Sequence, residues 1–460
     1  MQSFVVWSDE IEGRLDPLFY HPEYIGLIRK LKESKYEVIP VGAICKRIVD
    51  GPFGTQLKVE DYTTEGIPVI RVSNVKTGEI TEENLVRITV EKHLQLKRSR
   101  VLPNDVVLTK AGAILGYSAV FPSQLIEGNI TSHLVTITCK PEVNPYYLKT
   151  FFLSDAGQKQ IYRWGNKSTR PELNTEEVRK IFIPVPSLEI QAQIVESMQS
   201  AYKQKKQKEA EAQRLLDSID GYVLDELGIR LPEVEDKMYF AVSSDEVQSN
   251  RVDAYYYQPK FEEIEKALRK GKYDLVHFAT LMTDLKNGVE IRKYADEGYR
   301  YLRVTDLGKF GIIDNTPRLV AVEEIPERIK LHDNSFLISR SGSLGLVSVA
   351  EEKIKDVILS SHIFKVDLDI SKILPAYLEA FFRSTLGQIQ FFRKNNGGIV
   401  PEISQSALKS LMVVIPSLEI QNKISEEVKR RISEAEKLKA EASKIIGEAK
   451  KQVEEMILGD

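Results

Sequence analysis

The amino-acid sequence predicts an α+β protein built by tandem duplication, in which each of two globular domains is followed by a long helix. Three observations predict this fold: a repeat with a period of about 230 residues, short β-branched segments within each copy, and a segment poor in Pro and Gly after each copy. A period of this length indicates a domain duplication, because solenoid repeats are only about 20–45 residues long. We expect the two long helices to pair as an antiparallel coiled coil with pseudo-twofold symmetry.

Several motifs show the duplication. Residues 14–22 (RLDPLFYHP) recur as 251–259 (RVDAYYYQP), and Pro-Ser-Leu-Glu-Ile-Gln at 186–191 is repeated without change at 416–421. The repeat predicts five segments, which are a first globular domain at 1–183, a central long helix at 184–228, a linker at 229–250, a second globular domain at 251–415 and a distal long helix at 416–460.

Within the first copy, short strands are predicted at 67–72, 105–109 and 134–138, because each segment is rich in β-branched residues and is bounded by Gly, Asn or Pro. Two helices are predicted near the end of the domain. One begins at Pro145, and the other begins at 174–177, where Asn or Thr can cap the helix and two glutamates suit its dipole.

Each copy continues into about 40 residues without Pro, in which apolar residues lie three and four positions apart. The predicted seam of the second helix is Ile424, Val428, Arg431, Ala435, Leu438, Ala442, Ile445, Ala449, Gln452 and Met456. The seam of the first is Ile194, Met198, Ala201, Ala212, Leu215, Ile219 and Tyr222, interrupted by Lys205 and Lys208. Each helix would span about 60 Å. We expect the pair to hold the two domains at a fixed separation, although a seam with no role beyond structure is the alternative.

Composition excludes several classes of protein. With 42% apolar and 28% charged residues the chain is globular, and no apolar run approaches the ~18 residues of a membrane span. Cys45 and Cys139 are the only cysteines and lie far apart in sequence, which predicts neither a disulfide framework nor a Cys-based zinc cluster and fits the cytoplasm. The net charge of −3 conceals a division, because residues 14–183 sum to +5 and residues 251–415 sum to +2.

The sequence resembles the specificity subunits of type I restriction–modification systems over nearly its whole length. The resemblance is carried by residues 51–58 (GPFGTQLK), 66–75 (GIPVIRVSNV) and 183–191 (IPVPSLEIQ), with an echo at 414–421. The second copy departs from the pattern, since residues 287–290 read NGVE in place of a Gly-Pro-Phe-Gly-like loop.

The resemblance implies a prokaryotic, DNA-binding protein without catalytic residues. Each globular domain would be a target recognition domain that reads one half of a split duplex target. The helices would set the spacer and bind two methyltransferase subunits, while restriction subunits would complete the complex. S-adenosylmethionine, ATP and Mg would be bound by those partners, so no cofactor and no metal is expected on this chain, and no membrane is involved.

Candidate DNA-contacting residues lie in loops beside the predicted strands. The small positive charge of the domains cannot supply strong non-specific binding, so specificity is expected from side chains that match base edges, such as Arg or Lys for guanine and Asn or Gln for adenine. The candidates are Lys58, Arg71, Ser73, Asn74, Lys110, Lys167, Thr169 and Arg170 in the first copy, and Arg303, Thr305, Arg340, Lys394, Asn395 and Asn396 in the second.

Among these segments we favour the loop at 164–170 (WGNKSTR), which is matched by 394–398 in the second copy and resembles a DNA-contacting loop of these domains. The alternative for Arg71 and Arg303 is a structural ion pair. The Ser-His pairs at 132–133 and 361–362 are shared by both copies and are therefore predicted to be structural, because the two halves of a split target usually differ.

Enzyme motifs are incomplete in this sequence. Residues 144–147 (NPYY) resemble the Asn-Pro-Pro-Tyr motif of amino-methyltransferases but lack the second proline. No Gly-x-x-x-x-Gly-Lys-Ser/Thr loop occurs, and the six histidines lack His-x-x-x-His spacing. A DNA-reading, non-catalytic adaptor is therefore the main hypothesis. The alternatives are a coiled-coil assembly scaffold without DNA sequence preference and, more weakly, an enzyme that methylates alone.

Overall fold

In the computed structural model the chain forms two compact units, residues 1–208 with 440–460 and residues 209–439. Each unit contains one globular domain together with part of each long helix. The structure describes all residues except 1–4, 6–10, 12–13, 53, 55, 166–170, 233–238, 246, 248–250, 314–316, 334, 351–353, 355, 397 and 459–460.

The first unit combines two four-stranded sheets with short helices. Its strands are β1 (Glu37–Pro40), β2 (Cys45–Asp50), β3 (Ile67–Ile70), β4 (Val86–Ile88), β5 (Arg100–Val101), β6 (Val106–Thr109), β7 (Ser118–Val120), β8 (Gly128–Ile130), β9 (Leu134–Cys139) and β10 (Phe182–Val185). Its short helices are α1 (Pro22–Lys32), α2 (Val90–Gln95), α3 (Pro145–Leu153), α4 (Asp155–Gly165) and α5 (Thr175–Arg179). One sheet has the order β2-β9-β6-β7 and is antiparallel, whereas the other has the order β4-β3-β8-β5 and pairs β3 with β8 in parallel.

The long helix α6 (Leu188–Leu227) leads into the second unit, which repeats this plan. Its strands are β11 (Asp274–His277), β12 (Met282–Asn287), β13 (Tyr299–Leu302), β14 (Leu307–Gly308), β15 (Gly311–Ile312), β16 (Arg318–Val320), β17 (Ser335–Ser339), β18 (Val347–Val349), β19 (Val357–Leu359), β20 (Ile363–Leu368) and β21 (Met412–Ile415). Its helices are α7 (Pro259–Arg269), α8 (Pro375–Arg383), α9 (Thr385–Arg393), α10 (Gln405–Lys409) and the long α11 (Leu418–Leu458). The sheet β12-β20-β17-β18 corresponds to β2-β9-β6-β7.

The predicted α+β class and the local signals for its elements are confirmed. Strands occupy most of the three predicted segments, and α3 begins at Pro145. The Asn174 side chain accepts a hydrogen bond from the Glu177 N–H, and the Glu177 carboxylate accepts one from the Asn174 N–H, both at 2.9 Å. This reciprocal pair satisfies two backbone donors and fixes the start of α5.

The long helices run antiparallel where they meet. In the second unit Glu226, near the end of α6, pairs with Lys423, near the start of α11, at 2.7 Å. In the first unit Lys208 of α6 pairs with Glu441 of α11 at 2.6 Å, so this interruption of the predicted seam is an interhelical ion pair.

The predicted seam is wrong at the end of α11. Gln452 is exposed, whereas Val453 and Ile457 are buried with Ala449 in the core of the first unit. The buried positions follow a four-residue step here, because this end of the helix packs on a globular core, which accepts a wider apolar stripe than a two-helix seam does.

The repeated hexapeptide has a structural explanation. Its glutamine is fully buried in both units and joins the long helix to the loop before α3 or α8. The Gln191 side chain accepts a hydrogen bond from the Asn144 N–H at 2.8 Å and donates to the carbonyls of Glu142 and Pro186. Gln421 makes the same three kinds of contact in the second unit. The motif therefore fixes the direction in which each long helix leaves its domain.

The two cysteines are neighbours in space, which their separation in sequence did not predict. Cys45 on β2 lies directly opposite Cys139 on β9, and both thiols are free. A single bridge is therefore geometrically available even though a disulfide framework is not.

Candidate nucleic-acid interface

In the second unit, loops that are separate in sequence meet at an open cleft of about 660 Å³. The loop after β13 contributes Arg303 and Thr305, and the turn after β17 contributes residues 341–343, which directly follow Arg340. The loop before β20 adds His362. The structure thus places Arg303 and Thr305 at the same surface as the turn that follows Arg340.

Backbone hydrogen bonds hold the favoured segment 394–396 beside this turn. The Gly342 N–H donates to the Pro401 carbonyl at 2.9 Å, and the Asn396 N–H donates to the Glu402 carbonyl at 2.9 Å. The Asn395 side chain accepts from the Glu402 N–H at 3.0 Å and so serves the loop itself. Asn396 is exposed and Lys394 is half-exposed, so these two side chains remain available to a ligand.

The repeated Arg-x-Asp motif anchors the base of this loop. In the second unit Arg251 pairs with Asp253 at 2.7 Å and donates to the Asn395 carbonyl at 2.6 Å. In the first unit Arg14 pairs with Asp16 at 2.7 Å and donates to the Trp164 carbonyl at 3.1 Å, in the last turn of α4. Both copies therefore use the same motif to hold the end of the helix that precedes the favoured segment, α4 in the first unit and α9 in the second.

Two candidate arginines of the second unit are held by carboxylates. Arg303 donates twice to Asp306, at 3.1 and 2.8 Å, so the ion-pair alternative holds for this residue. Arg340 pairs with Glu402. Both arginine side chains are still about 30% exposed, at 30% and 31%. Each guanidinium has five N–H donors, so the ion pairs fix its direction and leave donors for a second acceptor.

Asn74 is built into its loop. The side chain is fully buried; it accepts from the Arg71 N–H at 3.1 Å and donates to the carbonyls of Thr81 and Glu83. Its amide therefore has no free face for a base, and Asn74 is not part of the surface proposed below. Arg71 donates to the Asn84 carbonyl at 2.5 Å and forms no ion pair with a described residue within 4 Å.

The other candidates of the first unit differ in exposure. Lys58 and Ser73 are exposed, whereas Lys110 is largely buried, with its amine 3.5 Å from the Asp50 carboxylate. The remaining candidates of this copy lie outside the described residues: Lys167, Thr169 and Arg170.

The Ser-His pairs share a backbone role in both copies. The His133 carbonyl accepts from the Lys110 N–H at 2.9 Å, and the His362 carbonyl accepts from the Arg340 N–H at 2.8 Å. Both contacts tie the turn after β6 or β17 to the neighbouring loop. They involve only the backbone, so the structural role of these side chains stays a prediction.

The first unit also has a basic cleft of about 500 Å³, which was not predicted from the sequence. Gln56, Lys92, Gln95 and Arg98 line it, and the Arg98 side chain is 81% exposed although it lies 3.3 Å from Asp50. The signal was present as four cations between positions 92 and 100. The corresponding stretch of the second copy, 323–330, has three glutamates and two cations.

A buried polar network fixes the wall of the basic cleft. Because the Asn129 amide nitrogen donates to the Leu96 carbonyl and to the Ser99 hydroxyl, its oxygen accepts from His93 Nδ1 at 2.5 Å. Glu127 joins the network from the other side, 3.3 Å from His93 Nε2 and 2.9 Å from Arg100. The cations of the cleft therefore stand on a rigid support.

Comparison with known proteins identifies the family. A model described as the type I restriction modification DNA specificity domain matches residues 33–214 and 274–444, which is most of the chain and includes both copies. The chain belongs to this specificity family. The specificity subunit of the type I restriction enzyme EcoBI from Escherichia coli is 29% identical over 186 residues, which span 38% of this chain and 38% of that subunit.

One solved structure shares the fold of this chain. A chain from a study of complex assembly and conformational transition in a type I R-M system covers 92% of this chain and 96% of itself, with a TM-score of 0.54 at 14% identity. An S subunit from M. genitalium covers 92% and 96% at 12% identity, with a TM-score of 0.45. Among the described residues, no helix has the length and apolar character to span a membrane, and no group of His, Cys, Asp and Glu has the arrangement of a metal site.

Proposed function

We propose that this chain reads a split duplex DNA target, one half-site per globular domain, as the non-catalytic subunit of a type I restriction–modification complex. The observation that carries the proposal is that the two units share one backbone framework but present different side chains on it. Both units hold the end of α4 or α9 through Arg-x-Asp, yet the first unit presents a cluster of lysine, arginine and glutamine and the second presents two carboxylate-paired arginines with Thr305 and Asn396. Such a framework suits two half-sites of different sequence.

The proposed reading surface of the first unit comprises Gln56, Lys58, Arg71, Ser73, Lys92, Gln95, Lys97 and Arg98, with Lys167, Thr169 and Arg170 retained from the sequence. That of the second comprises Arg303, Thr305, Arg340, Lys394 and Asn396. Lys110 and Asn395 act as supports, since their polar groups face Asp50 and Glu402. Arg and Lys in such loops suit guanine edges or phosphates, and Asn or Gln suits adenine.

We propose that two methyltransferase subunits bind equivalent surfaces of the two copies. Matching positions of the repeat expose apolar side chains in both copies: Leu15 and Val252, Leu18 and Tyr255, Leu188 and Leu418. Exposed apolar residues at equivalent positions suit two copies of one partner. The coiled coil would set the spacer between half-sites. Methyl transfer and cleavage, with S-adenosylmethionine, ATP and Mg, would then belong to the methyltransferase and restriction subunits in the cytoplasm.

Selection from a random duplex library tests this function. The chain would be used alone and mixed with methyltransferase subunits encoded beside it. Two short fixed blocks around a spacer of constant length are the expected result. If a complex assembles but enriches no sequence, the scaffold alternative stands in place of the proposal. Methyl transfer by the isolated chain would instead support the enzyme alternative.

A further inference from the structure

The cysteine pair of the first unit has the geometry of a cross-strand bridge. Cys45 and Cys139 are partners in the β2–β9 register, and next to them the Lys140 N–H donates to the Ile44 carbonyl at 2.9 Å. The cysteines therefore occupy a non-hydrogen-bonded position, where Cα atoms are about 4.5 Å apart. Disulfides accept Cα separations of about 4.4–6.8 Å.

The fold does not require thiols at this position. In the second unit the equivalent strands β12 and β20 pair Met282 with Leu368 at the same point, again beside an irregularity in the register. Two ordinary apolar side chains thus satisfy the same packing in the sister copy. The thiol pair is a property of the first unit alone among the described residues, since the chain has no further cysteines.

We propose that Cys45 and Cys139 are a reversible modification site, which a small-molecule disulfide such as oxidised glutathione converts to a Cys45–Cys139 disulfide. This inference goes beyond the proposed function and does not depend on it. Cys139 is the more exposed thiol, so its thiolate attacks first, forms a mixed disulfide and releases one reduced small thiol. The Cys45 thiolate then attacks the Cys139 sulfur and displaces the second small thiol, and the two protons lost by the cysteines end on the released thiols.

The surroundings of the pair make this exchange slow. Burial raises the pKa of Cys139 to about 12, and burial together with the neighbouring Cys139 raises the pKa of Cys45 even further above its usual range. Thiolate is therefore scarce at neutral pH, and attack requires it. The site would respond to sustained oxidation and would ignore brief exposure.

A bridge at this position would stabilise the first unit selectively. It closes a loop that contains the whole lining of the basic cleft, because the lining residues lie between positions 50 and 99. Closing a loop of about 95 residues raises the melting temperature of a domain of this size by roughly 10–20 °C. Residues 209–439 contain no cysteine, so the second unit should be unaffected.

The test equilibrates the full chain in mixtures of oxidised and reduced glutathione at neutral pH. The exchange is then quenched with acid, the chain is unfolded in urea so that buried thiols can react, free thiols are blocked with a maleimide, and peptides are analysed by mass spectrometry without reduction. We expect both thiols to disappear together, a linked 45–139 peptide, and no covalent dimer on a gel. Trp164 is buried in the core of the first unit, so the melting curve followed by tryptophan fluorescence should move upward.

Single variants give the matched controls. In Cys45→Ala the small thiol should stay attached to Cys139 as a stable mixed disulfide, whereas Cys139→Ala should acquire little adduct. The proposal is overturned if both wild-type thiols remain open to maleimide after equilibration in excess oxidised glutathione while the urea-unfolded chain oxidises under the same conditions. A stable single adduct on the wild-type chain would overturn it equally. These wild-type outcomes decide the question even if a variant does not fold.

Discussion

At the scale of single residues, the structure separates side chains that build a loop from side chains that a ligand can reach. Asn74 and Asp306 occupy matching positions after β3 and β13; both are buried, and both accept a hydrogen bond from the backbone N–H three residues earlier. A polar residue in a loop beside a strand is therefore weak evidence for contact with DNA. Arg98, which is highly exposed on the wall of a cleft, is stronger evidence.

Replacing Arg98 and Lys97 with alanine should weaken recognition of the first half-site. A side chain that reads a base edge contributes about 1–3 kcal/mol at one position of the target, whereas one that contacts a phosphate weakens binding evenly across sequences. Binding titrations with a panel of single-base changes in the selected target distinguish the two. Lys444→Ala, an exposed cation on α11, is the control. Unchanged affinity for every target would contradict a role for this cleft.

Replacing Arg251 with methionine should weaken recognition of the second half-site, although we place Arg251 outside the contact surface. The change removes the contact with the Asn395 carbonyl and so releases the base of the loop that carries Lys394 and Asn396. We expect an affinity loss of about tenfold, corresponding to the ~1.4 kcal/mol of a charge-assisted hydrogen bond. Arg14→Met should do the same to the first half-site only. Equal loss at both half-sites in either variant would argue for general unfolding.

At the scale of elements, the junction between each domain and its long helix is a hydrogen-bonded lock. The buried amides of Gln191 and Gln421 each satisfy one N–H and two carbonyls. The Tyr147 hydroxyl donates to the Pro184 carbonyl on β10 at 2.6 Å, and the Tyr377 hydroxyl donates to the Val414 carbonyl on β21 at 2.7 Å. The repetition of Pro-Ser-Leu-Glu-Ile-Gln follows from this geometry, which is the same in both units.

Gln191→Ala should destabilise the first unit by about 2–4 kcal/mol, because three buried backbone groups lose their partner and each costs about 1 kcal/mol or more. Urea unfolding followed by tryptophan fluorescence measures the change. Gln204→Ala is the matched control, since that glutamine lies on the exposed surface of the same helix. Similar midpoints for the two variants would show that the lock contributes little.

The end of α11 allows a comparison of two adjacent residues. Val453→Ala should cost about 2 kcal/mol, because it removes two methyl groups from a residue that is 1% exposed. Gln452→Ala should change the free energy of unfolding by less than about 0.5 kcal/mol. A larger loss for Gln452→Ala than for Val453→Ala would instead support the seam that the heptad pattern predicted.

The sequence predicted what local chemistry and repetition determine, such as the duplication, the Asn174 cap, the start of α3 and the long helices. It did not predict what depends on tertiary packing. A heptad count cannot detect that Val453 meets a globular core, and spacing along the chain cannot reveal that Cys45 and Cys139 share a strand register. The sequence shows a run of cations at 92–100, but only the fold shows that Lys92 and Arg98 line a cleft with Gln56.

At the scale of the whole molecule, the distribution of charge limits what the chain can do without partners. The two globular segments carry small positive totals and the full chain is slightly acidic. Attachment to the phosphate backbone depends on local cations, and each neutralised phosphate adds to the salt dependence of binding. We therefore expect two separable contributions to DNA binding: recognition of bases by a few side chains of this chain, and contacts with the phosphate backbone from its partners.

Salt titration should separate the contribution of this chain to DNA affinity from that of its partners. Between 50 and 200 mM salt, the affinity of the chain alone for its selected target should fall by about tenfold, as for about two phosphate contacts. The complex with methyltransferase subunits should lose about 10³–10⁵-fold over the same range if those subunits supply 6–10 contacts. Identical slopes for the chain and the complex would mean that the partners add no phosphate contacts.

The division of α11 between the units has a consequence for how the chain folds as it is made. The second unit is continuous in sequence at 209–439, whereas the first is completed only by residues 440–460, which bury Ala449, Val453 and Ile457 in its core. Domains usually finish in the order of their synthesis. Here the order is reversed, because every residue of the second unit has been synthesised before the ribosome adds the last residues of the first. The N-terminal domain is thus the last to close, and an incomplete chain would carry an open core at the end that was made first.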